Sequence, residues 1–288
     1  MNKPVRKAVI LAAGLGTRFL PMTKVIPKAM LPILNKPVIQ YLAEEAVASG
    51  IEEIIIVTGI GKRAIEEHFD PSYELEHELL KRGKQDLLAE VQKIEKSAQF
   101  VFVRQNEPNG DGHALLCAKD LIGDEPFAVL FGDDIIDAPV PALAQLLTVY
   151  KEKGTSVLCT ERVPKERISA YGVIAPGKTE GRIIEVKGLV EKPSPEEAPS
   201  NLGIIGKYIC TPEVLKALSK SQSSHPDGEI RLIDGLMTLL AQGEAIFALE
   251  VEGTRYDTGT PQGLLEANIA FAKKTPDLEP GIHHNYSV

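Results

Sequence analysis

The chain has no tryptophan and only 8 Phe and 7 Tyr in 288 residues. Few rings are therefore available as platforms on which a single nucleic-acid strand could stack. Cysteine is scarce as well: Cys117, Cys159 and Cys210 are odd in number and far apart, without metal-ligand spacing. They read as reduced, mostly buried thiols of a cytosolic protein. Basic charge is in deficit, with 32 Lys and Arg against 40 Asp and Glu and a net charge of -8. That balance argues against a surface that tracks a phosphate backbone, so no nucleic-acid partner is expected. Long apolar runs are missing too. The basic start, Met1 to Lys7, leads into a short apolar run broken by Gly14 and Arg18, too brief for a signal segment or a membrane span. A cytoplasmic protein without a membrane partner is the expectation. What remains, 43% hydrophobic and 25% charged residues, is ordinary globular composition. The length allows one large domain or two modest ones.

Short apolar runs alternate with helical patterns through the first half. Ala8 to Leu11 is continuously apolar, as in a strand buried on both faces, and stops at Ala12-Ala13-Gly14. Pro37 opens a helix closed by Gly50. Further strands are predicted at Ile54 to Thr58, Phe100 to Arg104 and Phe127 to Phe131. Between them lie a long amphipathic stretch from Leu75 to Ile94, one helix or a pair if Gly83 interrupts it, and a helix from about His113 to Leu121. This alternation predicts an α/β fold, Rossmann-like, with a mostly parallel mixed sheet flanked by helices. Thr155 to Val163 continues the pattern. Strands at Tyr171 to Ile174, Arg182 to Val190 and Asn201 to Ile209 are then separated by Gly and Pro turns, which predicts a small antiparallel patch added to the sheet. Helices return at Pro212 to Ser219, Ile230 to Gln242 and Pro261 to Lys273, with a strand at Ala245 to Val251. No linker interrupts residues 1–274, so one domain is expected, with halves at about 1–135 and 136–274. Residues 275–288 read as a polar tail.

In open sheets of this kind ligands sit beyond the carboxyl ends of the parallel strands. After the first strand comes Ala12-Ala13-Gly14-Leu15-Gly16-Thr17-Arg18, small enough for backbone amides to approach an anion, with a guanidinium at its end. A plain strand-to-helix turn is the alternative. A Walker A loop lacks its Gly-Lys-Ser/Thr here, and a dinucleotide fingerprint lacks its third glycine and its acid, where Phe19 and Thr58 stand. Lys28, between Pro27 and Pro32, could present an ammonium from a stiffened segment or simply solvate a loop. Asp133 and Asp134 end a buried strand, and Asp257 precedes the last helix. Hard carboxylate oxygens suit Mg²⁺, although each site could equally be a helix cap. Glu191 and Lys192 close another strand, where they could divide sugar hydroxyls and a phosphate between them or form an ordinary solvated strand end. No Ser/His/Asp or Cys/His group supports covalent catalysis.

The ordered series is more specific than any member of it. Leu11-Ala12-Ala13-Gly14-x-Gly16-Thr17-Arg18-Phe19-Leu20-Pro21 is followed by Pro27-Lys28-x-Met30-Leu31-Pro32, Val103-Arg104-Gln105, Gly110-x-Gly112-His113-Ala114 and Gly132-Asp133-Asp134. Tyr171-Gly172-Val173-Ile174, Val190-Glu191-Lys192-Pro193, Ala198-Pro199-Ser200-Asn201 and Arg255-Tyr256-Asp257 complete it. From Leu11 to about Ala272 the chain resembles the sugar-1-phosphate nucleotidyltransferases, most closely their bacterial branch that joins UTP to glucose 1-phosphate. The resemblance implies UDP-glucose and pyrophosphate as products, Mg²⁺ as cofactor, UTP and glucose 1-phosphate as partners and a homodimer or homotetramer. It implies that Leu11, Ala12, Ala13, Gly14, Gly16, Thr17, Gln105 and Gly110 bind the nucleotide. Gly172, Glu191 and Lys192 would bind the sugar phosphate. Arg18 and Lys28 would face the triphosphate, with Lys192 as a third catalytic cation, and Asp133 and Asp257 would hold the metal. The double alanine before Gly14 resembles the uridylyl branch rather than the thymidylyl one. Two positions depart from the pattern: Ala29 stands where relatives carry Glu, and Asp111 replaces an apolar residue. A thymidylyltransferase and a catalytically weak regulatory relative are the rival readings.

Overall fold

The computed structural model describes residues 2–221, 225 and 227–275. The expected tail at 275–288 lies almost wholly outside the described residues. The chain opens with β1 (Lys7–Leu11), three 3₁₀ turns and a short hairpin, β2 (Pro32–Ile33) and β3 (Lys36–Pro37). Helix α1 (Val38–Ala48) and β4 (Glu53–Thr58) follow, then α2 (Arg63–Phe69), α3 (Tyr73–Lys81), α4 (Gln85–Glu95) and β5 (Gln99–Arg104). Gly83, at φ 66°, separates α3 from α4, so the long amphipathic stretch is a helix pair. Next come α5 (Asp111–Cys117), α6 (Lys119–Ile122), β6 (Phe127–Phe131), β7 (Asp134–Asp137), α7 (Ala142–Lys153) and β8 (Val157–Arg162). The remainder is β9 (Gly172–Glu180), β10 (Ile183–Glu191), β11 (Leu202–Cys210), α8 (Pro212–Leu218), α9 (Leu232–Ala241), β12 (Phe247–Glu250), β13 (Thr254–Asp257) and α10 (Pro261–Lys273).

Nine strands form one sheet in the order β5-β4-β1-β6-β11-β8-β12-β10-β9. The first four are parallel, with Leu11 level with Val57 and Phe131, so their carboxyl ends share one rim. Strand β11 differs from expectation. It is not in a peripheral patch but in the middle of the sheet, antiparallel to both β6 and β8. Its sequence permits this because all nine of its residues are buried. Only β9 and β10 form the antiparallel extension at the far edge.

Side chains alternate across the sheet as strand geometry requires. Ile10, Ile54, Ile56 and Leu130 join one core with Leu42, Ala46 and Leu143 from α1 and α7. Val9, Ile55, Val57 and Val129 join the other with Leu115, Leu215 and Leu236 from α5, α8 and α9. Both faces are thus covered, which is why these strands read as continuous apolar runs. Among the described residues no helix is long and apolar enough to cross a membrane. Cys159 and Cys210 are buried, Cys117 partly so, and all three are free thiols.

Candidate active site

Two adjoining cavities, about 410 and 420 Å³, open on the rim of the parallel strands. Asp111, Phe131 and Asp133 belong to the walls of both. The first is lined by Leu11, Ala12, Ala13, Gly14, Gly16 and Thr17, together with Lys28, Gln105 and Gly110. Its loop is shaped by backbone. The Ala12 amide donates to the Val57 carbonyl at 2.9 Å, and Thr23 Oγ1 donates to the Gly16 carbonyl at 2.7 Å. Gly16 has φ 66°, and a Cβ there would come within 3.0 Å of the Lys28 side chain, so glycine suits both the turn and its packing. Across the cavity Gln105 is 6% exposed and donates through Nε2 to the Gly110 carbonyl at 2.9 Å. Its other amide atom, the carbonyl oxygen, is left as an acceptor. Gly110 has φ 99°, and a Cβ on it would lie 2.3 Å from the Ile230 carbonyl oxygen.

At the boundary of the cavities stand the acids. Asp133 follows β6, and Lys28 Nζ donates to its Oδ2 at 2.5 Å. Asp257 ends β13, which pairs with β7 so that Asp257 lies opposite Asp134. A Cβ placed on Gly259 would be 2.3 Å from Asp133 Oδ2 and 2.9 Å from Asp257 Oδ1, so the two carboxylates face the same small space. The capping alternatives do not hold. Asp134 begins a strand, and the last helix is capped by Thr260, whose Oγ1 accepts from the Gly263 amide at 3.1 Å. Two carboxylates without a third acidic or imidazole ligand among the described residues fit a hard divalent cation that completes its shell with water and phosphate oxygens.

The second cavity is lined by Arg18, Gly172, Glu191, Lys192 and Asp257, with Arg167, Arg231 and Arg255. Arg18 and Lys28, both expected to face a triphosphate, therefore line different cavities. Glu191 Oε1 accepts from Arg231 at 3.0 Å, and Gly172 lets the strand approach Glu191, since a Cβ there would meet Glu191 Oε2 at 3.2 Å. Lys192 has φ 47°, uncommon for a residue with a side chain, and its amide donates to the Tyr171 carbonyl at 3.0 Å. Its Nζ lies 3.6 Å from Glu191 Oε1 and its side chain is half-exposed.

The sequence assigned no role to several supporting charges. Lys62 is 9% exposed; its Nζ donates to the Ala12 carbonyl at 2.7 Å and to the Gly14 carbonyl, clamping the glycine-rich loop from beneath. Burial pushes its ammonium down to about 8, and repulsion from Lys28 adds to the fall. Lys207, fully buried in β11, pairs with Glu45 at 2.9 Å and donates to the Asp134 carbonyl at 2.9 Å. Arg255 meets Asp134 and Glu161, each at 2.7 Å. Burial alone would ease its proton off, but the two carboxylates outweigh that and raise its pKa. Asp111 accepts from the Leu232 amide at 2.6 Å. Burial pushes its carboxyl up to about 6, with Glu191 and Glu229 adding to the rise against the Leu232 amide and Arg231. The only sequence signal for Lys207 was a lysine inside an otherwise apolar strand.

A glycine-rich loop, a row of cations and two facing carboxylates at the rim of a doubly covered sheet define an α/β protein that handles phosphates. Residues 7–274 match the nucleotidyl transferase family, and the chain belongs to it. It is 50% identical over 276 residues to a UTP--glucose-1-phosphate uridylyltransferase of Bacillus subtilis, covering 96% of this chain and 94% of that protein. A protein of the same name from Staphylococcus epidermidis is 49% identical over 276 residues, with 96% and 95% covered. Among solved structures, a UDP-glucose pyrophosphorylase complexed with UDP-glucose superposes with TM-score 0.86 at 42% identity, covering 94% of this chain and 99% of that one. A UTP-bound UGPase from Acinetobacter baumannii gives TM-score 0.89 at 36% identity, with 97% of each chain covered.

Proposed function

We propose that this chain is a UTP:glucose-1-phosphate uridylyltransferase, making UDP-glucose and pyrophosphate. The observation that carries the reading is the pair of cavities sharing Asp133: one is lined by the glycine-rich loop and Gln105, the other by Glu191 and Lys192. A nucleotide in the first and a sugar phosphate in the second would meet at the carboxylates. The names of the similar proteins support UTP over dTTP.

In the reaction, an oxygen of the glucose 1-phosphate dianion forms a bond to the α-phosphorus of UTP while the bond to the β-phosphate oxygen breaks. Pyrophosphate departs with that electron pair. The phosphate is already largely dianionic near neutrality, its second pKa being about 6, so no general base is needed. The obstacle is repulsion. Each pair of unit charges 4 Å apart interacts by about 4 kcal/mol at an effective dielectric of about 20, so several uncompensated pairs would forbid close approach. Lys192 orients the sugar phosphate, Lys28 offsets charge on the nucleotide phosphates, and Arg18 does so from the sugar side. Glu191 accepts from sugar hydroxyls, and Gln105 with the Gly110 backbone reads the uracil edge. Asp133 and Asp257 would hold Mg²⁺, which when bound neutralises phosphate charge and orders the reacting groups. Because β6 and β11, from the two halves, are hydrogen-bonded neighbours, we read residues 1–274 as one domain.

The test is pyrophosphate release from glucose 1-phosphate with each of UTP, dTTP, ATP and CTP. Release fastest with UTP, abolished by chelator and restored by Mg²⁺, is the expected result. Faster release with dTTP would transfer the assignment to a thymidylyltransferase, and release with none would overturn it.

A further inference from the structure

Two carboxylates near the join of the cavities are held by consecutive residues of one segment. The Leu232 amide donates to Asp111 Oδ1 at 2.6 Å, and the Arg231 guanidinium donates to Glu191 Oε1 at 3.0 Å. The segment is tied to the loop carrying Asp111, because the Gly112 amide donates to the Ile230 carbonyl at 2.9 Å. Glu191 and Arg231 line only the sugar-side cavity, whereas Asp111 lines both. Its second oxygen, Oδ2, makes no hydrogen bond among the described residues, yet it is not sealed in: the one buried side-chain oxygen there without a hydrogen bond is Glu125 Oε2. Asp111 therefore presents a free acceptor to the cavity. The charged neighbours around it, Glu191, Glu229 and Arg231, include two further carboxylates, and both push its pKa upward.

We propose that Asp111 and Glu191 form an acidic pair that accepts an uncharged sugar and rejects one carrying a second anionic group, with Asp111 the specificity-determining residue. The inference rests on the nucleotidyl-sugar reading of the site. A sugar hydroxyl donates to Oδ2 and completes its hydrogen bonding. A ring carboxylate in the same place meets the Asp111 and Glu191 carboxylates, and the guanidinium beside them, Arg231, is already shared among Glu191, Asp227 and Glu229.

The probes are UDP-glucose and UDP-glucuronic acid, titrated calorimetrically into the wild-type protein and into D111N. Asparagine keeps the volume and an oxygen for the Leu232 amide but loses the charge. Wild type is expected to prefer UDP-glucose, and D111N to lose about tenfold of that preference, a change of about 1.4 kcal/mol. Affinity for UMP should stay within about twofold. D111L, which also removes the acceptor, should lose the preference and bind UDP-glucose more weakly; melting temperatures for both variants establish that they fold. An unchanged preference in D111N overturns the proposal. So does weakened UMP binding, which would place the carboxylate on the nucleotide instead. Binding needs no turnover, so altered preference in a protein that releases no pyrophosphate would uphold this inference while failing the proposed reaction.

Discussion

The two cavities meet at the same carboxylates but are made of different material. On the nucleotide side the wall is mainly small residues and main chain, Ala12, Ala13, Gly14 and Gly16, and the groups that shape it, Lys62 and Thr23, hold main-chain oxygens. On the sugar side the wall is mainly charged side chain, with Arg18, Arg167, Glu191, Lys192, Arg231 and Arg255. Backbone positions tolerate many side chains provided the φ and the space are right, whereas a charged wall depends on each head group. Sensitivity to mutation should therefore divide along the same line.

The sharpest division is expected at Lys192. Lys192→Ala removes the cation assigned to orient the sugar phosphate, and should lower kcat with glucose 1-phosphate by about a thousandfold at the upper end for losing one preorganised charge. Steady-state rates with saturating UTP check this, and near-normal turnover would break the contrast. Next is Gly110→Ala, which strains a positive φ and drives a carbon into the Ile230 carbonyl. Its expected signature is a KM for UTP raised about thirtyfold, equivalent to about 2 kcal/mol, with the KM for glucose 1-phosphate little changed. Lys62→Met should raise the KM for UTP about tenfold, because the Ala12 and Gly14 carbonyls lose their donor. An equal rise for both substrates would mean that the clamp serves the whole site.

The smallest effect is a pH dependence of stability. With its pKa held down at about 8 against the ordinary 10.5, folded Lys62 loses its proton while the unfolded chain still keeps one. Below about pH 8 the protein carries the cost of burying that charge; stability contributed by this group rises between about pH 8 and 10.5 and then levels off. Urea unfolding of wild type and Lys62→Met across that window should show the wild type gaining relative to the variant.

The rim of the parallel strands was legible because both-face burial leaves continuous apolar runs, and the residues that end them, Gly14, Gln105 and Asp133, fall at the cavities. The break at Gly83 was legible as well. The central place of β11 was not, since strand order depends on partners far along the chain: Tyr208 pairs with Val129 and with Leu158. The same holds for Asp257, which reaches the site only because β13 pairs with β7. Helix α7 left no clear periodic signature, as seven of its twelve residues are buried, Gln145 among them. Lys62 and Lys207 are polar residues whose partners are main-chain carbonyls or a distant glutamate; local sequence carries no trace of the first and, for the second, only a lysine within an apolar run.

The insertion of β11 between β6 and β8 also sets an order of assembly. Strand β6 ends at Phe131 and its neighbour does not begin until Leu202, so a chain emerging from the ribosome holds one edge of the parallel half open while some seventy residues are added. At about 5–20 residues per second that interval is several seconds, far longer than hydrophobic collapse. During it the β6 edge is a bare template for pairing with another chain. The parallel half is thus made first, yet its β6 edge is closed only by a strand from the other half.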